Sequence, residues 1–128
     1  IDHPLAGQQS IALSDVANER LIVLDIDEME QEAVKLLSAF GKRPKIAFRT
    51  RSVEAVRSLV ATGAGVALLP DLVYRPWSLE GDRIHSRDVS GSLPVVQVGL
   101  VWRRGSTISD AAAEFIALTQ AQLAARAR

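Results

Sequence analysis

The first half of the chain alternates between short apolar runs and longer segments in which apolar residues follow a helical repeat. Leu21–Leu24 and Val66–Leu69 are apolar runs of strand length, and Lys45–Thr50 places Ile46 and Phe48 on one face of a third strand. In the two intervening segments, apolar residues recur three and four positions apart, as in amphipathic helices. Because parallel strands need crossover helices that cover the sheet, this β-α-β-α-β order predicts an α/β fold with a three-layer open sheet.

Each of the two helical segments has a predicted start, a predicted end and one apolar face. In the first, glutamates crowd the first turn, where the helix dipole favours them, and Gly41 supplies the stop. Its apolar face consists of Met29, Ala33, Leu36, Leu37 and Phe40. In the second, Ser52 is the predicted N-cap. Its buried stripe consists of Val53, Val56, Leu59 and Val60.

The glycine pair Gly63 and Gly65 lies where the second helix ends and the next strand begins. Phosphate-binding glycines have the reverse placement, because they follow a strand and open a helix whose N–H groups face the anion. The order therefore favours a helix C-cap with a tight turn over a phosphate loop.

Outside this central block the pattern is weaker. Leu13–Ala17 predicts a short helical turn with Ser14 as its cap. Asp71–Asp88 contains proline, glycine and many polar residues, which predicts a surface crossover with one short strand near Ile84.

The C-terminal residues predict one strand and one helix. Apolar and polar side chains alternate along Val95–Arg103, as in a half-buried strand. Ser109 is then the predicted cap of a last helix. The inward-facing residues expected for that helix are Ala112, Phe115, Ile116 and Leu123.

The composition is that of an ordinary globular domain. Of 128 residues, 48% are hydrophobic and 23% are charged, and the 15 basic residues balance the 15 acidic ones. Domains that grip a nucleic-acid backbone usually carry a basic excess or a basic face, so we do not expect this chain to hold DNA directly. No apolar run approaches the roughly 18 residues that a membrane span needs. The absence of cysteine agrees with a reducing cytoplasm.

The chain opens at Ile1, without an initiator methionine and without a signal-peptide pattern. We interpret it as a fragment of a longer protein.

Few residues are suited to catalysis or metal binding. His3 and His85 stand far apart in predicted loops, and a zinc site without cysteine would need carboxylates at a spacing that does not occur. No Gly-x-Ser-x-Gly turn supports a serine nucleophile. We therefore expect neither an enzyme nor a cofactor.

A ligand site is predicted at the carboxyl ends of the strands, where open α/β sheets bind their ligands. Thr50, Arg51 and Ser52 join a strand to a helix whose free N–H groups favour an anion, so a small carboxylate is the expected ligand. Asp25 and the pair Leu69–Pro70 should lie on the same rim. Two alternatives stay open: Ser52 or Asp25 only caps a helix, and Arg51 is only a solvated charge.

The stretch Arg49–Pro70, with the sequence RTRSVEAVRSLVATGAGVALLP, resembles the middle of the effector domains of LysR-type transcriptional regulators. Further segments agree in order and spacing, and the resemblance covers nearly the whole chain. They are His3–Ala6, Leu13–Ala17, Leu21–Asp25, Tyr74–Gly81 and Val98–Trp102.

The resemblance implies a fold of the type II periplasmic-binding-protein kind, with two α/β subdomains and the effector in the cleft between them. Residues 7–89 would form the second subdomain, and the strand and helix within residues 95–128 would return to the first. The ligand wall carried over comprises Thr50, Arg51, Ser52 and Val53, with Leu69 and Pro70 opposite.

The resemblance also implies partners. Such regulators are cytoplasmic and form dimers or tetramers, here through the helix Met29–Phe40 and the strand after it. They bind promoter DNA through an N-terminal winged helix-turn-helix that this chain lacks. The alternative with the same fold is a solute-binding protein of a transport system, and a small enzyme on a flavodoxin-like sheet is a more distant one.

Overall fold

The computed structural model describes residues 2–41, 43–95 and 98–126. By their contacts these divide into two compact units, Ile1–Pro94 and Val95–Arg128. The N-terminal unit holds the sheet and the buried core.

The centre of the N-terminal unit is strand β2, Arg20–Leu24, which pairs in parallel with β3, Lys45–Thr50. On its other side, the Ile22 amide donates to the Val66 carbonyl and the Val66 amide donates to the Arg20 carbonyl, both at 2.9 Å. Because β2 has neighbours on both edges and helices above and below, its last four residues are buried.

Two helices pack against this sheet as the apolar repeat predicts. Helix α2, Met29–Ser38, buries Leu37 completely, and helix α3, Val53–Ala61, buries Val56 completely. The other predicted facing residues are partly buried, except Phe40, which lies beyond the end of α2 and is 47% exposed.

The turn after α3 has the predicted form. Gly63 follows the helix with φ +76°, a left-handed conformation that glycine adopts without strain. Gly65 passes so close to β2 that an added Cβ would lie 2.4 Å from the Arg20 carbonyl oxygen. The glycines thus end a helix and admit the neighbouring backbone, and they do not open a phosphate loop.

A second, two-stranded sheet joins distant parts of the sequence. Strand β1, Ser10–Ala12, pairs in parallel with β4, Asp88–Ser90. The short helix α1, Leu13–Val16, follows β1 as predicted, but Ala12 occupies the N-cap position and no side chain caps it. Ser14 was therefore the wrong cap, because it lies inside the helix, where its carbonyl accepts from the Asn18 side-chain Nδ2 at 2.9 Å.

Two predicted strands in the N-terminal unit do not form. Val66–Leu69 forms only an isolated bridge, Leu21 with Val66, because the ladder to β2 ends after that residue pair. Ile84 lies in no strand, although its amide donates to Pro76 at 2.8 Å beside an antiparallel bridge between Trp77 and Arg83.

The C-terminal unit contains helix α4, Asp110–Arg126, whose first turn is capped by the predicted Ser109 hydroxyl. The predicted strand Val95–Arg103 is absent from its described residues, because no strand in the described part of the chain pairs with it. Val96 and Gln97 lie outside the described residues.

The predicted inward face of α4 is also wrong. Of the predicted residues, Ala112, Phe115 and Leu123 are exposed and Ile116 is half-buried, because the described residues of the C-terminal unit form no other helix or strand that could cover them.

Candidate functional site

The carboxyl ends of β2 and β3 meet at one edge of the sheet. The Asp25 amide, just after β2, donates to the Thr50 carbonyl at the end of β3 at 2.8 Å. This bond fixes the two strand ends side by side and brings together two of the predicted site residues. The edge is also where helix α3 begins.

The Thr50 and Ser52 hydroxyls organise the start of α3. Thr50 Oγ1 accepts from the Ser52 amide at 3.1 Å, and Ser52 Oγ accepts from the Ala55 amide at 3.2 Å. Because a hydroxyl that accepts one bond keeps its own hydrogen, both side chains can still donate to a ligand. Capping and ligand binding are therefore compatible at Ser52.

The helix start leaves two backbone N–H groups for a ligand. Helical geometry gives the first amides of α3 no intrahelical acceptor. Ser52 satisfies Ala55, whereas the amides of Val53 and Glu54 find no acceptor among the described residues. These N–H groups and the helix dipole together favour an anion at this position.

Arg51 and Asp25 are the charged side chains predicted for this edge, and both are exposed. Neither forms an ion pair with another described residue. The alternative in which Asp25 caps the following helix is not supported, because Glu28 occupies the N-cap position of α2. Arg51 is an exposed residue in this structure, and in sequence it directly precedes Ser52, the N-cap residue of α3.

The apolar part of the predicted wall belongs to one hydrophobic cluster. Val53 and Leu69 both pack against the buried side chains Ile22, Leu24 and Val56. Pro70, which follows Leu69, is half-buried. The structure thus connects the helix side of the edge to the Leu69–Pro70 side through shared packing.

The other candidate groups lie away from this edge. His3 Nδ1 accepts from the Leu5 amide at 3.2 Å, and its Nε2 lies 3.4 Å from Glu19, so His3 holds the N-terminal 3-10 helix. His85 is exposed. No cluster of three metal-ligating side chains occurs among the described residues.

One carboxyl outside the edge has a shifted pKa. The hydrogen bond from the Ser58 hydroxyl holds the pKa of Glu80 below its ordinary value, with further contributions from its own backbone and from Ser78. No helix within the described ranges is long and apolar enough to cross a membrane.

Sequence reasoning missed two residues of this region, Glu54 and Arg57. The Glu54 amide finds no acceptor among the described residues, and Arg57 is a buried residue of the same helix. A signal for Arg57 existed: it stands four positions after Val53 and three before Val60, and therefore on the predicted buried stripe.

The carboxyl edge of this parallel sheet carries an exposed arginine, two hydroxyls and helix N–H groups, and it lies where open α/β sheets commonly bind ligands. The family model of the LysR substrate binding domain matches residues 1–124. The chain therefore belongs to this family. The match confirms the predicted family and its type II periplasmic-binding-protein-like fold.

Sequence similarity to individual proteins supports the same family. The chain is 32% identical over 108 residues to the hydrogen peroxide-inducible genes activator of Pectobacterium carotovorum subsp. carotovorum, covering 84% of this chain and 35% of that protein. It is 31% identical over 114 residues to the DNA-binding transcriptional dual regulator OxyR of Escherichia coli K12, with the same coverage. The chain thus spans about a third of the length of these relatives.

A solved structure agrees as well. The crystal structure of PA01 protein, a putative LysR family transcriptional regulator from Pseudomonas aeruginosa, matches 94% of this chain and 42% of its own, with a TM-score of 0.76 and 30% identity.

Proposed function

We propose that this chain is the effector-sensing part of a LysR-type transcriptional regulator and that its effector is a small carboxylate. The observation that carries the ligand class is the start of α3, where the amides of Val53 and Glu54 and the Arg51 guanidinium lack partners among the described residues. A carboxylate accepts from a guanidinium and from paired N–H groups with good geometry. The Thr50 and Ser52 hydroxyls add two donors.

The proposed mechanism is a shift in the population of two conformations. A ligand can move such an equilibrium only by its difference in affinity for the two states. Residues 7–89 would form one wall of the effector cleft, and the elements within residues 95–128 would belong to the subdomain that supplies the other wall. A change in the angle between the subdomains would then alter how the assembled regulator holds promoter DNA.

The proposed partners follow the family. We assign dimer or tetramer formation to the Met29–Phe40 helix and to β3, a proposal supported by the exposure of Phe40 and Phe48, 47% and 50%. Contact with promoter DNA is assigned to an N-terminal helix-turn-helix outside this sequence, and the location of a regulator acting on DNA is the bacterial cytoplasm.

We do not propose hydrogen peroxide as the signal for this chain, although one of the relatives is named for it. Reversible sensing of a peroxide by protein side chains commonly uses a cysteine thiolate, and the 128 residues contain no cysteine. A carboxylate effector needs only groups that the edge of the sheet already presents.

Transport-associated solute binding and enzymatic turnover are the competing functions. The relatives reported above are named as regulators of transcription, which favours neither alternative. A secretory signal encoded upstream would support solute binding, and turnover abolished by changing Asp25 or Arg51 would support an enzyme.

The test is Arg51→Ala in the full-length protein, with Arg87→Ala as the matched exposed-arginine control. Binding of acetate, succinate and benzoate is measured by NMR titration of the backbone amides. Loss of a charge-assisted contact should raise Kd about ten-fold for the anion that binds. Promoter binding without effector should be unchanged. Equal anion titration curves for Arg51→Ala and the unaltered protein would show that Arg51 is not part of the site.

A further inference from the structure

Arg57 is the arginine in the N-terminal unit whose side chain is buried, with 6% of the residue exposed. It lies in the second turn of α3, one turn below the proposed carboxylate site. Its Nη1 donates to the Glu54 carboxylate and its Nη2 donates to the Val73 carbonyl. Its Nε is also buried and finds no partner among the described residues.

A buried arginine needs an explanation, because guanidinium groups are rarely buried and lose hydration when they are. The apolar stripe of α3 would accept an aliphatic residue at this position, so packing alone does not require a cation. The hydrogen bonds to Glu54 and Val73 identify what Arg57 contributes. It connects α3 to a separate segment of the chain.

That segment directly follows Leu69 and Pro70, which form the second side of the proposed site. Val73 ends the 3-10 helix Asp71–Val73, which begins immediately after Leu69 and Pro70. The first side of the site is the start of α3, three to five residues before Arg57 in sequence. Arg57 therefore spans between the element that carries the anion-binding amides and the segment that anchors the Leu69–Pro70 side.

The next residue of α3 makes a second link of a different kind. Ser58 Oγ lies 2.7 Å from Glu80, which is exposed and ten residues beyond Pro70. This contact holds the outer part of the loop and does not touch the segment 69–73. It supplies a control in the same helix.

We propose that Arg57 is a positioning residue of the ligand site, one that holds the segment after Pro70 against α3 and so sets the spacing between the two sides of the edge. This inference rests on the proposed function. Arg57 does not touch the ligand; it acts through Val73 and the 3-10 helix.

The test compares Arg57→Met, which fills similar volume without donors, with Arg57→Lys, which keeps the cation and can reach one acceptor. Ser58→Ala is the control. Hydrogen exchange is measured at the Val73 and Tyr74 amides, which donate within the 3-10 helix at 3.1 and 3.0 Å. Titration of the full-length protein with acetate, succinate and benzoate gives Kd for the anion that binds.

We expect Arg57→Met to raise the exchange rates of the Val73 and Tyr74 amides and the Kd for the anion that binds, each about ten-fold. Arg57→Lys should give intermediate values, and Ser58→Ala should leave both within about two-fold. If Arg57→Met does not fold, the difference between Arg57→Lys and Ser58→Ala decides the question.

The outcomes separate the two proposals. Failure of the unaltered protein to bind any of acetate, succinate and benzoate would contradict the proposed carboxylate site and this inference with it. Binding that is equal in the unaltered protein and in both Arg57 variants would contradict this inference alone. Exchange that accelerates equally in β2 and α3 would reduce Arg57 to a general structural role and would also overturn it.

Discussion

The two units of this chain bury their apolar side chains to very different extents. In the N-terminal unit Ile22, Leu37 and Val56 are 2%, 0% and 0% exposed. In the C-terminal unit Val101 and Leu118 are 96% and 58% exposed. Periodicity therefore shows which residues are suited to burial, and a neighbouring element decides whether burial occurs.

The C-terminal unit also shows that a helix can form from local sequence where a strand cannot. Helix α4 forms with little burial because it is rich in alanine, the strongest helix former, and is capped by Ser109. The alternating residues 98–103 form no strand, because the hydrogen bonds of a strand are made to another strand. Local sequence is sufficient for the first element and insufficient for the second.

The largest expected effect comes from Leu37→Ala. Removing a fully buried leucine leaves a cavity, and the free energy of unfolding should fall by about 3 kcal/mol. The matched change, Leu118→Ala in the exposed helix, should alter it by no more than about 0.5 kcal/mol. Urea titration followed by tryptophan fluorescence measures both.

Trp77 and Trp102 lie in different units, so replacing either one by Phe leaves a reporter for the other unit. Similar losses for the two leucine variants would mean that Leu118 is covered in solution, and the contrast between the units would then disappear.

A smaller effect is expected from Gly65→Ala. The new Cβ would meet the Arg20 carbonyl oxygen at 2.4 Å, and separating the backbone segments should cost about 2 kcal/mol. Gly99→Ala in the C-terminal unit is the control, because no atom lies within 4 Å of its added Cβ. Thermal unfolding should show a lower midpoint for Gly65→Ala only; equal midpoints would show that the turn next to β2 adjusts freely.

The smallest effect concerns the surface link between Ser58 and Glu80. The folded-state pKa of Glu80 lies below the ordinary 4.5, so its contribution to stability is present above pH 4.5 and is lost as the pH falls through the lower folded value. Ser58→Ala should move the pKa of Glu80 up toward 4.5. NMR titration of the carboxyl carbon measures this shift, and an unmoved titration curve would assign the effect to the backbone instead.

The central fold follows from the sequence because its signals are local and repeated. The start of α2 at Met29, the Ser52 cap and the left-handed Gly63 all depend on neighbouring residues, and all are present. The pairing of β1 with β4 has no such signal, because three-residue strands show no periodicity and their partners are distant in sequence.

The positions of some candidate site residues could be predicted from the sequence, as for the central fold. Thr50 and Ser52 were placed correctly at a strand end and a helix start, since the order of the elements determines that position. The free Val53 amide and the burial of Arg57 depend on which groups find partners in three dimensions. Ligand contact at any of these residues stays a prediction.

The β1–β4 pair also bears on the order in which the chain folds. Ser10 and Asp88, joined by a hydrogen bond from the Ser10 hydroxyl to the Asp88 carbonyl, are 78 residues apart. Closing so long a loop costs chain entropy that three residue pairs hardly repay on their own. We expect this pair to form late, after the region between has condensed around β2, and its contact order to slow folding of the N-terminal unit.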